Sequence, residues 1–353
     1  MFERSVNLVR DGVRRNVFPS AALAVGVGDK ILVRSSWGCV GKDGAPVPAT
    51  EETLYDLASL SKVVGTSMVA YRMLESGRLR LTDRLGDFFA VPADRSGITV
   101  QHLMTHTGGI SPFFLLSREA SGPDDAAAAI LRHPLAAEPG AQVIYSCMGY
   151  ILLGKILEKI GDAPLNRLAR ELVFRPLGML RTDYLPATGQ TFAATEYDPV
   201  AGECLYGVVH DENARFLGGV SGNAGVCGTL DDISRFASML ACDGAGYLTR
   251  RMLALAIKNY TAGMVQNRGL GFQLQGRGAG FLGSRFGARS FGHTGFTGTS
   301  LAVDPDSGLF AVLLTNRVHP SRENVEILRF RGELHDCIAE EYASYCSGLS
   351  SGF

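Results

Sequence analysis

Residues 20–36 read SAALAVGVGDKILVRSS, and this stretch decides the fold. Two runs of small and branched apolar residues, Ser20 to Val27 and Lys30 to Ser36, flank Gly28-Asp29. A two-residue turn signal between such runs specifies an antiparallel hairpin. The pattern returns near the carboxyl end, where Thr297 to Val303 and Leu309 to Thr315 flank the turn cluster Asp304-Pro305-Asp306-Ser307-Gly308. Helical signals lie outside both pairs. Phe2, Val6, Val9 and Val13 recur at helical spacing before the first hairpin, and Ile327, Phe330, Leu334 and Ile338 share a helical face within Ser321 to Tyr342.

Between the ends the pattern is mostly helical, punctuated by Pro92, Gly108-Gly109, Pro112, Pro134, Pro139-Gly140, Pro164 and Pro176. Ile151, Ile156, Leu157 and Ile160 line a helix that should stop at Gly161, and Thr229 with Asp232 makes a capping-box-like start. Gly269 to Gly292, rich in Gly and Arg, reads as a long surface loop rather than an RNA-binding tract. The simplest architecture is α+β: one antiparallel β-sheet shared by the two ends of the chain, flanked by terminal helices, with a mostly helical insertion domain. The expected units are 1–64 and 215–353, two parts of one α/β sandwich, and 65–214, the helical domain.

The 353 residues are enough to bury a large core, and 46% of them are apolar. The 34 Lys and Arg against 35 Asp and Glu leave a net charge of −1, with no basic tract that would bind nucleic acid or an anionic membrane. Glu3, Arg4, Arg10 and Asp11 interrupt the amino-terminal apolar residues, so no secretory signal is expected there, and no run reaches the length of a membrane span. Cys39, Cys147, Cys204, Cys227, Cys242, Cys337 and Cys346 are scattered and form no CxxC pair. The expected compartment is therefore a reducing cytoplasm, without disulfides or zinc.

Chemistry concentrates in three places. The first is Ser59-Leu60-Ser61-Lys62, at the head of a helix expected to run to Leu74 and stop at Gly77. Ser59 and Lys62, three apart, share a helix face, and of the chain's lysines only Lys62 has a serine three positions before it. A serine hydroxyl needs a base to become a nucleophile, and a lysine is that base when its amine rests uncharged. The second is Tyr145-Ser146-Cys147, where a phenol beside an ammonium can relay a proton. The third is His293-Thr294-Gly295, just before the strand expected from Thr297, which offers a ring nitrogen, a hydroxyl and close backbone approach.

In this order the three elements resemble the penicillin-recognising serine hydrolases, whose signatures include Ser-x-x-Lys and Lys-Thr-Gly. The chain is most similar to the branch containing class C β-lactamases, D-alanyl-D-alanine carboxypeptidases and family VIII esterases. Leu103-Met104-Thr105-His106-Thr107-Gly108-Gly109, Tyr150-Ile151-Leu152-Leu153-Gly154 and Asn223-Ala224-Gly225-Val226 extend the resemblance along the chain. Val209-His210-Asp211-Glu212-Asn213-Ala214 and the His-Thr-Gly in place of Lys-Thr-Gly resemble a narrower subgroup, some of whose members act on muropeptides.

The resemblance implies that Ser59 is acylated, Lys62 is its base and Tyr145 relays the proton, with the N–H groups of Ser59 and Phe296 as oxyanion hole. It places His293, Thr294, Gly295, Cys147 and His210 against substrate. Two departures bear on substrate. A histidine at position 293 is mostly neutral at pH 7 and attracts a carboxylate less than lysine would, unless it titrates between about pH 6 and 8. Cys147 stands where many relatives have asparagine, whose amide both donates and accepts. The expected reaction is hydrolysis of a small ester or a D-amino-acid or muropeptide-type amide, with weak or no β-lactamase activity, no cofactor and no metal. The rival is a catalytically idle sensor or filament-forming scaffold of the same superfamily. His102 and His106 lack the glutamate of a His-Glu-x-x-His zinc site, and Gly26-Val27-Gly28 lacks the rest of a dinucleotide fingerprint.

Overall fold

A computed structural model describes residues 2–42 and 46–350. Helix α1 (Glu3–Arg14) leads into strands β1 (Ser20–Val27) and β2 (Lys30–Gly38), the hairpin expected from the sequence. The remaining strands of the main sheet come from the far end of the chain: β3 (Gln273–Leu274), β4 (Phe291–Thr294), β5 (Ser300–Val303) and β6 (Leu309–Thr315). The six form an antiparallel sheet in the order β2-β1-β6-β5-β4-β3. Its seam is the pairing of β1 with β6, from Ala21 opposite Thr315 to Val27 opposite Leu309.

Successive side chains on a strand point to opposite faces, and here each face has its own core. Ala21, Leu23, Val25, Ala311 and Leu313 pack with Val9, Phe18, Phe330, Leu334 and Ile338, beneath α1 and the carboxyl-terminal helix α5 (Ile327–Ser350). Ala22, Ala24, Val312 and Leu314 face the larger core, which takes in α2 (Ser67–Glu75), α3 (Cys147–Gly161) and α4 (Leu230–Ala241). Being covered on both faces, β1 and β6 read as continuous apolar runs rather than as alternation. The fold class is the one expected, and the sheet gains two strands, β3 and β4, that the sequence reading did not include.

Four local expectations change. The segment after Ser59 is not one α-helix: a 3-10 turn (Ala58–Leu60) and a π-helical turn (Lys62–Thr66) precede α2. His293 and Thr294 lie inside β4 rather than ahead of a strand, and a tight turn at 295–298 joins them to β5. The tract from Gly269 to Gly292 is no surface loop, because Leu270, Phe272, Leu274, Leu282 and Phe286 are buried and Gln273–Leu274 forms the edge strand. Its glycines hide a core-facing pattern. The start of α4 is half a capping box: Thr229 accepts the Asp232 N–H, while the Asp232 carboxylate turns instead to Arg181 and Thr182.

Candidate active site

Ser59 owes its place to a strained turn. Ala58 sits at φ +46°, uncommon for a residue with a Cβ, and the Asp56 carboxylate accepts its N–H at 2.8 Å. The following π-helical turn, a feature frequent at functional sites, carries Lys62. This side chain is completely buried and donates to Ser59 Oγ at 3.0 Å, the Asn223 carbonyl at 2.8 Å and Cys147 Sγ at 3.5 Å. The nitrogen lies 5.0 Å from the centre of the Tyr145 ring.

Three contacts match the three N–H bonds of an ammonium, and a neutral amine would meet the same three with the Ser59 hydroxyl as donor. Burial pulls the Lys62 amine down, but the anionic forms of Cys147 and Tyr145 and a hydrogen bond to Tyr145 push harder the other way, and the net direction is upward. The expectation was an amine uncharged at rest, whereas these surroundings favour its protonated form. The reason is its acidic neighbours, Cys147 and Tyr145, which a motif of four residues does not contain.

Tyr145 is bracketed by His106. The Ile144 N–H donates to the His106 carbonyl at 2.8 Å and the Ser146 N–H to its Nδ1 at 3.1 Å, while the imidazole lies 4.5 Å from the phenol ring. Ser146 caps α3, which starts at Cys147. From the opposite side the His293 ring stands 6.0 Å from that of Tyr145. His293 Nδ1 is 2.8 Å from the Thr294 carbonyl, so it carries the proton, and Nε2 is left as a buried acceptor without a protein partner. Burial, with Arg268, Lys62 and Arg331 nearby, holds His293 well below the ordinary histidine value. This direction speaks against a role through positive charge near neutral pH.

Ser59, Tyr145, His293, Thr294, Gly295 and Phe296 line one cavity of about 520 Å³. The structure does not bring every expected residue to it. Cys147 reaches the site through Lys62. His210 stands behind Phe296, its ring stacked at 5.7 Å and its Nε2 2.9 Å from a carboxylate oxygen of Glu196. It supports that wall and is not among the lining residues.

Sequence reasoning missed Arg268. Its guanidinium is 4% exposed, lines the cavity, lies 5.4 Å from the Tyr145 ring centre and keeps Nη1 without a partner. Its chain position, just ahead of the tract read as a surface loop and outside every motif, concealed it. Arg317, Arg322 and Arg331 also line the cavity, against the single acid Glu323. Arg322 is neutralised by Glu196 and Glu212. The arrangement can activate a hydroxyl, hold an acyl group beside a mobile proton and attract an anion.

The Beta-lactamase family model matches residues 6–335. A protein of Escherichia coli (strain K12) named "Putative D-alanyl-D-alanine carboxypeptidase" is 30% identical over 350 residues, covering 86% of this chain and 79% of its own. EstCE1, described as a hydrolase with promiscuous acyltransferase activity, superposes with a TM-score of 0.79 at 21% identity, over 96% of this chain and 98% of its own. The octameric penicillin-binding protein homologue from Pyrococcus abyssi does so with a TM-score of 0.74 at 20% identity, over 93% and 75%. These two structures speak to the fold, which is β-lactamase-like. Among the described residues no helix is long and apolar enough to cross a membrane.

Proposed function

The chain belongs to the Beta-lactamase family, and from that premise we propose a serine hydrolase that acylates Ser59 with an ester or a D-amino-acid or muropeptide-type amide. The single observation that carries the reading is Lys62 Nζ at 3.0 Å from Ser59 Oγ on the wall of a cavity of about 520 Å³. Removing one proton from the Lys62–Tyr145 pair creates the base. The Ser59 proton passes to that vacancy as Oγ bonds to the carbonyl carbon, and from there to the leaving oxygen or nitrogen. Water then gives its proton to the same pair as its oxygen bonds to the acyl carbon, and the pair returns a proton to Ser59 Oγ as that ester bond breaks. The N–H groups of Ser59 and Phe296 receive the oxyanion.

Within this reading the substrate is an anion. The unpartnered Nη1 of Arg268 takes a carboxylate, and neutral His293 offers Nε2 to a donor on the substrate or on Tyr145. The neutral His293, where relatives place lysine, remains the ground for proposing weak or no β-lactamase activity. The proposed domains are an α/β sandwich made of 1–64 and 215–353 and a helical domain of 65–214, with Ser59 and His293 from the two parts of the first and Tyr145 from the second.

The test mixes protein with p-nitrophenyl acetate or a fluorescent penicillin and reads the adduct by intact mass. An adduct on Ser59 is expected, with Ser59→Ala losing turnover by about 10⁴ or more. An equal adduct on the variant removes Ser59 from the mechanism. Acylation without turnover replaces the hydrolase by a sensor.

A further inference from the structure

The turn after β4 is held by a buried cation that the reaction scheme above does not use. Arg331, on α5, is 4% exposed, yet its hydrogen-bond partners are backbone carbonyls: Gly295 at 2.6 Å, Thr299 at 2.9 Å and Gly298 at 3.2 Å. Arg317 completes the set. Its Nε donates to the Phe296 carbonyl at 2.8 Å, and its N–H and the Thr315 hydroxyl both reach the Thr297 carbonyl. Every carbonyl from 295 to 299 is thus fixed from the α5 or β6 side.

A peptide unit is planar, and in the trans form its C=O and N–H point in opposite directions. The carbonyl of Gly295 and the N–H of Phe296 belong to one such unit. Anchoring that oxygen on Arg331 turns the Phe296 N–H away from α5. The turn also packs against the segment bearing Ser59, because Thr299 Oγ1 donates to the Leu57 carbonyl at 3.1 Å and Thr297 Oγ1 to that of Asp56 at 2.7 Å. A cation on the oxygen also polarises the amide and strengthens its N–H as a donor.

We propose that Arg331 is the positioning residue of the oxyanion hole: its guanidinium aims and sharpens the Phe296 N–H through the Gly295 carbonyl. The proposal rests on the reading of Phe296 as an oxyanion donor. A merely structural account fits poorly, since burying a cation against neutral acceptors is a costly way to brace a turn, and apolar residues often replace such charges without loss of stability. Burial and the neighbouring Arg317 lower the guanidinium to about 9, which still leaves it charged at neutral pH.

The experiment acylates the full-length protein and its R331K and R331Q variants with a ¹³C-carbonyl ester and reads the acyl C=O stretch by isotope-edited infrared spectroscopy. With the hole weakened, the stretch should move to higher frequency in both variants. At the same time kcat should fall about 10- to 100-fold with little change in KM, less than the 10² to 10³ for losing a donor outright. Acyl-enzyme with an unshifted stretch in a folded variant overturns the proposal. Absence of acyl-enzyme in the wild type instead removes the hydrolase reading beneath it. Should both variants fail to fold, wild-type protein with ¹⁵N-arginine and ¹³C′-glycine decides: a coupling across the hydrogen bond between Arg331 and Gly295 is expected by NMR, and its absence overturns the proposal.

Discussion

At the scale of single residues, His293 shows how environment rewrites chemistry. A histidine in place of lysine invites a role for its charge, but this ring is 3% exposed with Arg268, Lys62 and Arg331 around it. Its folded value is depressed, so it is neutral from pH 6 to 8 and takes a proton only in more acidic solution. The kcat/KM profile for an anionic substrate should therefore contain no His293 inflection in that range. His293→Gln, which keeps a neutral acceptor, should stay within about 10-fold of wild type and preserve the profile's shape. A wild-type limb near pH 6.5 that vanishes in His293→Gln would restore the charge role. Cys147 supplies a companion case. Its thiol takes one of the three hydrogen bonds from Lys62 and serves poorly as an amide partner. Cys147→Asn should raise the ratio of amide to ester kcat/KM by roughly 10-fold, about the worth of one added hydrogen bond. A fixed or falling ratio in paired assays contradicts this.

At the scale of elements, the site is a junction of three pieces of chain, and Gly295 shows how closely they approach. A Cβ at this position would overlap Thr299 Oγ1 and the Leu57 carbonyl. The glycine is needed for space rather than for a left-handed backbone, since its φ lies outside the left-handed region. Gly295→Ala must push β4 away from the turn carrying Ser59. The expected cost is about 1–3 kcal/mol in urea-unfolding free energy, with a fall in kcat/KM of at least 100-fold from the displaced Phe296 N–H. An alanine variant of wild-type activity would show that this contact is not needed. Such approaches mark what the sequence exposes and what it hides. Ser59, Lys62, Tyr145 and His293 were legible because their chemistry is tied to short motifs, and β1, β2 and β6 because apolar runs between turn clusters have few other readings. Arg268, Arg331 and the short strand β3 were not. Their roles come from contacts with residues distant in sequence, and the glycines between Gly269 and Gly292 mask the burial pattern. What favours the protonated form of Lys62 was hidden for the same reason, since Cys147 is 85 positions away.

At the scale of the whole molecule, the fold depends on histidines staying neutral. His106, His293 and His335 are all buried, and burial is the main cause that lowers each of them, His335 to about 4. His335 lies on the buried side of α5 with Phe281 and Phe286 around it, its Nδ1 bonded to the Phe281 carbonyl. In the unfolded chain a histidine titrates near 6.5. Between about pH 6.5 and 4 the unfolded state therefore binds the extra protons, and stability falls as the pH falls. For His335 the shift from 6.5 to about 4 corresponds to about 3 kcal/mol, present in full above pH 6.5 and lost on approach to pH 4. Glu196, which burial would raise but Arg322 and His210 hold at about 2, loses stability in the same direction at lower pH. Asp56 and Asp232, raised by burial, act in the opposite sense. The His335 contribution is isolated by a difference measurement: urea midpoints of wild type and His335→Gln compared at pH 7.5 and 5. The variant should be less stable at pH 7.5, where packing is lost, and should lose less than wild type on going to pH 5. Parallel pH dependences in the two proteins would mean that His335 takes no part in the acid sensitivity of the sheet and its covering helices.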